Sequence, residues 1–210
     1  SQWNDFLRYY NYTSGDAFLA YLQDSYMQSA AVEQYVRNDV ITDEEIQTYY
    51  DENIYGEITV RHILISPDVD DDATDEEIEE AEATALEKAK ELITQIQNSE
   101  NLEEDFTNLA KENSDDTGTV EQGGLLENIT NESGLVEEFW EAANDLEVGE
   151  FTTEPVKTRF GYHIIYKVSQ KEKPSLDSVK DKVLDGLVSE LLSATDAESI
   201  YWAGLREKYN

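Results

Sequence analysis

The sequence has no cysteine, two histidines and few basic residues. Without cysteine there are no disulfides, no thiolate catalysis and no cysteine-rich zinc site, and two isolated histidines make a poor metal site. We therefore predict no metal and no cofactor. Lys and Arg number 15 against 48 Asp and Glu, so the formal charge is −33. Nucleic acids and anionic membrane surfaces are bound through basic patches, and this composition excludes both as partners.

The sequence also lacks a long apolar run and a signal peptide. No stretch approaches the roughly 18 apolar residues of a membrane-spanning helix. The chain begins at Ser1 without an initiator methionine, which we interpret as the loss of a targeting segment. The hydrophobic content of 39% is enough for a packed core. The negative charge has two interpretations, solubility or attraction of cationic unfolded chains, and both stay open.

Two stretches have the composition of β-strands, and each contains one of the two histidines. The first is Ile58–Ile65 with His62, and the second is Tyr162–Val168 with His163. Both are rich in β-branched and aromatic residues, as strands usually are. Two such strands separated by helical sequence predict a small α+β domain with both imidazoles near its centre.

The segment between these strands predicts three helices and two further strands. The first helix begins with a capping box at Thr74, the second contains Phe106, and the third lies near Gly134–Leu146. The additional strands are predicted over Leu125–Ile129 and Phe151–Val156.

Both ends of the chain have apolar residues at helical spacing. Neither residues 1–56 nor residues 171–210 can bury their apolar stripe alone. We therefore predict that the two ends form one all-helical module, and that residues 57–170 are inserted in it as a separate domain.

Several separated segments resemble the parvulin-type peptidyl-prolyl cis/trans isomerases, in the right order. They are VRHILI, LEEDFTNLAKENSDD, a Gly pair, and LVEEFWEAANDLEVGEFTTEPVKTRFGYHIIYKV. The helical flanks resemble the PrsA-type secreted foldases and, less closely, the SurA-type periplasmic chaperones. The resemblance implies a small antiparallel or mixed sheet with surrounding helices.

The resemblance also implies a set of site residues. It places His62 and His163 as a facing pair and Thr158 as the hydroxyl beside them, and it puts the position that is Cys or Asp in the family on Asp116. Members with Asp are isomerases, so an electrostatic role is implied rather than covalent attack. The proline pocket carries over to three apolar residues, namely Leu125, Leu135 and Phe139.

Other interpretations of these residues stay open. A histidine in a strand is often a core residue, and Asp116 is equally well explained as a solvated loop charge. The family usually continues its Gly pair with an acid, Leu and Gly, whereas this chain has Leu125-Leu126-Glu127. If that last Gly needed a positive φ, Leu126 would be strained or the loop would take another path. The domain is then either an isomerase or a client-binding chaperone with little or no activity.

The resemblance implies partners and a location as well. The partners are unfolded or partly folded exported polypeptides with X–Pro segments, and the oligomeric state stays open between a monomer and a homodimer. The location is outside the cytoplasm, in a bacterial cell envelope or secreted. A Gram-positive lipoprotein fits best, with a membrane tether only through a lipid anchor before Ser1.

Overall fold

A computed structural model describes residues 7–9, 11–70, 72–194 and 196–209, which form two units. One unit combines the residues up to Ile54 with those from Ser175 onward, and the other is Tyr55–Pro174. In chain order the elements are α1 (Gly15–Tyr35), a π-helical turn (Val36–Val40), α2 (Asp43–Asn53), β1 (Ile58–Ile65), α3 (Asp75–Gln97), α4 (Leu102–Asn113), a 3₁₀ turn (Val120–Gln122), β2 (Leu125–Ile129), α5 (Glu137–Asp145), β3 (Val156–Thr158), β4 (Gly161–Gln170), α6 (Leu176–Ser193) and α7 (Ala197–Tyr209).

The helical unit is built from both ends of the chain. Helix α1 packs against α7, and α2 packs against α6. The contacts fall into two buried clusters, and both contain residues from each end of the chain. The clusters are Ile46, Ile54, Val183 and Leu187, and Val32, Val36 and Val188. Gly186 lets α6 approach α2, because a Cβ there would collide with the Tyr49 ring. Among the described helices, none is long and apolar enough to cross a membrane.

Capping boxes begin two of the helices, as their Thr-x-x-Glu sequences predict. At α2 the Glu45 backbone N–H donates to Thr42 Oγ1 at 3.2 Å, and the Glu45 carboxylate accepts from Thr42 N at 2.7 Å. Thr74 and Glu77 repeat this exchange at the start of α3. Each box satisfies helix N–H groups that have no partner within the helix.

The second unit is a four-stranded antiparallel sheet in the order β2-β1-β4-β3, covered by helices on both faces. Side chains alternate between the faces along a strand. Ile63 and Ile164 therefore pack in the cluster with residues of α3 and α4. Val60 and Ile165 pack in the other cluster with Phe139 and Trp140 of α5. This architecture confirms the predicted α+β class.

One predicted strand is wrong in its position. The prediction was Phe151–Val156, whereas β3 is Val156–Thr158 and Phe151 makes only an isolated bridge to Tyr166. Between them Thr152 Oγ1 accepts the Ile165 N–H at 3.0 Å in place of a backbone carbonyl. Pro155 follows and has no N–H for a ladder, so regular pairing resumes only at Val156. Strand β2 was predicted correctly.

Candidate active site

The two histidines lie on the same face of the sheet, on neighbouring strands. His62 of β1 is opposite Ile165, and His163 of β4 is opposite Leu64, so the two positions are diagonal neighbours. Their Nδ1 atoms are 3.4 Å apart, and the rings stack at an interplanar angle of 25°. Both side chains are buried, each about 5% exposed.

The loop after α4 brings a carboxylate to the outer nitrogen of His62. This loop lies alongside the end of β1, because Leu64 N donates to Ser114 Oγ at 3.1 Å and Asp115 N donates to Leu64 O at 2.8 Å. The next residue, Asp116, thereby reaches His62, with 2.9 Å between Oδ2 and Nε2. Asp116, predicted as a site residue with an electrostatic role, is thus in hydrogen-bond contact with His62.

The hairpin between β3 and β4 brings a hydroxyl to the outer nitrogen of His163. Thr158 is buried, and its Oγ1 is 3.0 Å from His163 Nε2. The same oxygen accepts the Phe160 N–H at 3.1 Å. The four predicted polar residues therefore form one chain in the order Asp116, His62, His163 and Thr158.

Burial decides the charge of the two imidazoles. It lowers the pKa of His163 from 6.5 to about 4, with His62 acting in the same direction. Burial also lowers the pKa of His62, although Asp116 opposes the shift. For Asp116, burial raises the pKa, but hydrogen bonds from Thr119 and Gly118 and the contact with His62 outweigh it and leave the pKa lowered. At neutral pH the hydrogen-bond chain therefore consists of the Asp116 carboxylate followed by the two neutral imidazole rings.

These charges fix the direction of every hydrogen bond in the chain. A carboxylate only accepts, so His62 Nε2–H donates to Asp116. The bare Nδ1 of His62 then accepts from His163 Nδ1–H, and the bare Nε2 of His163 accepts from the Thr158 hydroxyl. A neutral imidazole has one donor and one acceptor, so one charge sets both tautomers.

An apolar wall stands over the histidine pair. The Phe139 ring meets both imidazoles edge-on, with centroids 5.3 Å from His62 and 5.1 Å from His163. Of the other two residues predicted for the proline pocket, Leu135 packs in the same cluster, but Leu125 does not. Leu125 is in register with Arg61, on the opposite face, and Leu126 is in register with Val60 and joins the cluster.

The helix that carries Phe139 is held in place by a buried lysine. Lys167 of β4 is 1% exposed, and its ammonium donates to the carbonyls of Asn144 at 2.9 Å and Leu146 at 2.7 Å. These carbonyls lie at the C-terminal end of α5, where helices leave acceptors without partners and where a cation is favoured.

The altered sequence after the Gly pair fits the loop without strain at Leu126. In the Gly pair the φ values are positive at Gly123 (68°) and Gly124 (71°), whereas neither Leu126 nor Glu127, the residue in the place of the family's last Gly, has a positive φ in β2. A Cβ at Gly124 would collide with the His62 carbonyl oxygen. On the other side Arg61 Nη1 donates to the carbonyls of Gln122 at 2.8 Å and Gly123 at 3.1 Å.

Two residues at the site were missed in the sequence. Leu126, rather than Leu125, lies on the face of the sheet with Phe139, and strand alternation from Val60 could have identified it. Thr119 lies with its Oγ1 3.1 Å from His62 Nε2. Only its spacing of three residues from Asp116, typical of a turn, hints at this contact.

The sheet with its helices and histidine pair defines a parvulin-type domain. A family model described as Rotamase, the PPIC-type PPIase domain, matches residues 62–169, about half of the 210 residues. The chain belongs to the PPIC-type PPIase family.

Curated and solved relatives agree with this assignment. Foldase protein PrsA 3 of Bacillus cereus is 42% identical over 55 residues, which are 26% of this chain and 19% of that protein. The curated relative is thus matched over only about a fifth of its length. The crystal structure of peptidylprolyl isomerase (PrsA) from Bacillus cereus has a TM-score of 0.60 at 25% identity, covering 99% of this chain and 68% of that one.

A second solved structure supports the fold alone. The crystal structure of peptidylprolyl isomerase (PrsA) from Bacillus anthracis has a TM-score of 0.51 at 23% identity, covering all of this chain and 81% of that one. The predicted parvulin-type, PrsA-like character of the chain is confirmed.

Proposed function

We propose that this protein is a peptidyl-prolyl cis/trans isomerase that acts outside the cytoplasm on unfolded or partly folded exported polypeptides. The observation that carries the proposal is the directed chain from Asp116 through His62 and His163 to Thr158, buried beneath Phe139. The catalytic residues are these four polar residues. The proline ring packs against Leu126, Leu135 and Phe139.

The reaction needs such a site because it transfers no atom. Rotation about an X–Pro bond loses amide resonance, and the barrier is about 18–20 kcal/mol. The planar amide has negative charge on its oxygen, and twisting removes that charge. A fixed carboxylate at Asp116 beside this oxygen destabilises the planar ground state more than the twisted transition state, and the rigid neutral histidines hold that carboxylate in place.

The helical unit is the second part of the proposal. Apolar side chains of α1 are exposed, including Leu19 at 56%, Tyr26 at 74% and Met27 at 65%. We assign client binding to this unit, in the extracytoplasmic location of a secreted foldase.

The test is an isomerisation assay on a short X–Pro peptide with the full chain. The wild type should speed the exchange, whose uncatalysed relaxation takes about 10–100 s at 25 °C. Phe139→Ala should lose most of the acceleration, because the proline ring loses its aromatic wall. Lys90→Ala is the control, since this exposed lysine lies on α3 and pairs with Glu87 of the same helix.

The alternative function is a client-binding chaperone with a weakly active or inactive parvulin domain. The observation that favours it is Leu125-Leu126-Glu127 where the family has an acid, Leu and Gly. A wild-type chain that suppresses client aggregation but leaves the peptide exchange at its uncatalysed rate would establish the alternative and reject the isomerase.

A further inference from the structure

A second hydroxyl lies at the end of the hydrogen-bond chain opposite Thr158. Thr119 Oγ1 donates to Asp116 Oδ2 and lies 3.1 Å from His62 Nε2, so three polar atoms form a triangle at the carboxylate. We propose that Thr119 is a positioning residue of this site. Its hydroxyl holds the Asp116 carboxylate against His62 and so keeps the donor and acceptor order of the whole hydrogen-bond chain. The inference rests on the isomerase function proposed above.

The backbone places Thr119 relative to both groups that it joins. Its own N–H and that of Val120 donate to the Asp116 carbonyl at 3.2 and 3.0 Å. The Thr119 carbonyl accepts from Gly124 N at 2.9 Å, and the Gly124 carbonyl accepts from His62 N at 2.8 Å. A continuous series of hydrogen bonds thus runs from Asp116 through Thr119 to the His62 backbone.

The hydroxyl is one of only a few donors for the carboxylate in the described part of the chain. Asp116 Oδ1 accepts from Gly118 N at 3.1 Å, and Oδ2 accepts from Thr119 and His62. The Asp116 side chain is 28% exposed, so water can compete for it. Without the Thr119 hydroxyl, His62 alone would hold Oδ2, and rotation of the carboxylate into solvent would become easier.

Displacement of the Asp116 carboxylate would affect the hydrogen-bond chain as far as His163. Once Asp116 leaves Nε2, His62 can carry its proton on either nitrogen, and the donor from His163 loses its fixed acceptor. The Thr119 hydrogen bond also opposes the rise that burial gives to the pKa of Asp116, so its removal lets the carboxylate protonate at a higher pH.

The experiment compares Thr119→Val with Thr119→Ser and a control in the same loop. Valine keeps the branched shape and removes the hydroxyl, and serine keeps the hydroxyl. Thr117→Val is the control, because Thr117 is exposed and two residues away. We expect kcat/KM of Thr119→Val to fall about tenfold, as for the loss of one hydrogen bond to a charged group. Serine should restore most of the rate, and Thr117→Val should match the wild type.

The pH–rate profile separates positioning from a structural role. In Thr119→Val the acid limb of kcat/KM should move to higher pH, whereas a turn that is merely loosened would lower the rate equally at every pH. Adding Thr119→Val to Asp116→Asn should have no further effect, because Thr119 acts through the charge that asparagine lacks. If the valine variant fails to fold, Thr119→Ala takes its place.

Three results would overturn the inference. They are a wild-type rate for Thr119→Val, a loss that serine does not restore, and an equal loss in the Asp116→Asn background. Failure of the isomerase function itself would be recognised earlier, because the wild type would then show no acceleration with which to compare the variants.

Discussion

Acidification should destabilise the strand-containing unit through the buried histidine pair, and His163 sets the magnitude. Its pKa is about 4 in the folded protein against 6.5 as the ordinary value. Between these two pH values the unfolded chain binds a proton that the folded chain does not, so the free energy of unfolding rises with pH in this window. The stability is complete above pH 6.5 and is lost as the pH falls towards 4.

The difference in pKa gives the size of the effect. A shift of about 2.5 units corresponds to about 3 kcal/mol at about 1.4 kcal/mol per unit. His62 adds to this loss in the same window, because burial lowers its pKa as well. Asp116 acts at lower pH, since its pKa lies below 3.8. A drop to pH 4.5 therefore tests the histidines with little contribution from Asp116.

The assay is urea unfolding at several pH values between 7.5 and 4.5, for the wild type and for His163→Gln. The amide does not titrate, so the general effect of neutralising an acidic surface cancels in the difference. At pH 7 the variant should be less stable by about 1–3 kcal/mol, because His62 and Thr158 lose a partner. This gap should close by about 2–3 kcal/mol as the pH falls to 4.5.

A gap that stays constant over this range would refute the argument. The same conclusion would follow from an NMR titration in which the His163 ring protonates near its ordinary pKa of 6.5. Either result would mean that water reaches the ring, and the fixed tautomers would lose their basis.

Two further predictions concern the loop and the helical unit. Gly124→Ala should lower the free energy of unfolding in urea by about 2 kcal/mol or more beyond Gly134→Ala, because both glycines have a positive φ but only a Cβ at Gly124 would meet the His62 carbonyl. Equal losses in the two variants would contradict this packing. A chain that ends at Gln170 should aggregate, because α6 and α7 no longer cover the apolar residues of α1 and α2; a soluble, unchanged N-terminal segment would reject the shared helical module.

The strands and helices were predictable where a periodic pattern coincided with long-range packing. β1 and β4 were identified because apolar and aromatic residues run along them, and α3 because its capping box precedes an apolar stripe. The strand at Phe151–Val156 was placed wrongly because composition does not show that the Thr152 hydroxyl replaces a ladder carbonyl. Such a substitution depends on the register with β4, which lies outside the local sequence.

The candidate site was predictable in its polar chain and less so around it. His62, His163, Asp116 and Thr158 came from family motifs, and the structure brings them together. The exchange of Leu125 for Leu126 shows the limit of that method. Neighbouring leucines are equivalent in composition, but the pairing of β2 with β1 sends them to opposite faces.

The low pKa of the histidines bears on the kind of catalysis that the site can perform. A general base works best when its pKa is near the working pH, and burial moves His163 to about 4 and His62 in the same direction. A pair tuned this way is a weak base at neutral pH but a well-defined donor and acceptor. Bond rotation needs no proton transfer, so the same burial that would harm acid–base catalysis favours an isomerase, because it keeps the rings neutral, dry and fixed around a single carboxylate.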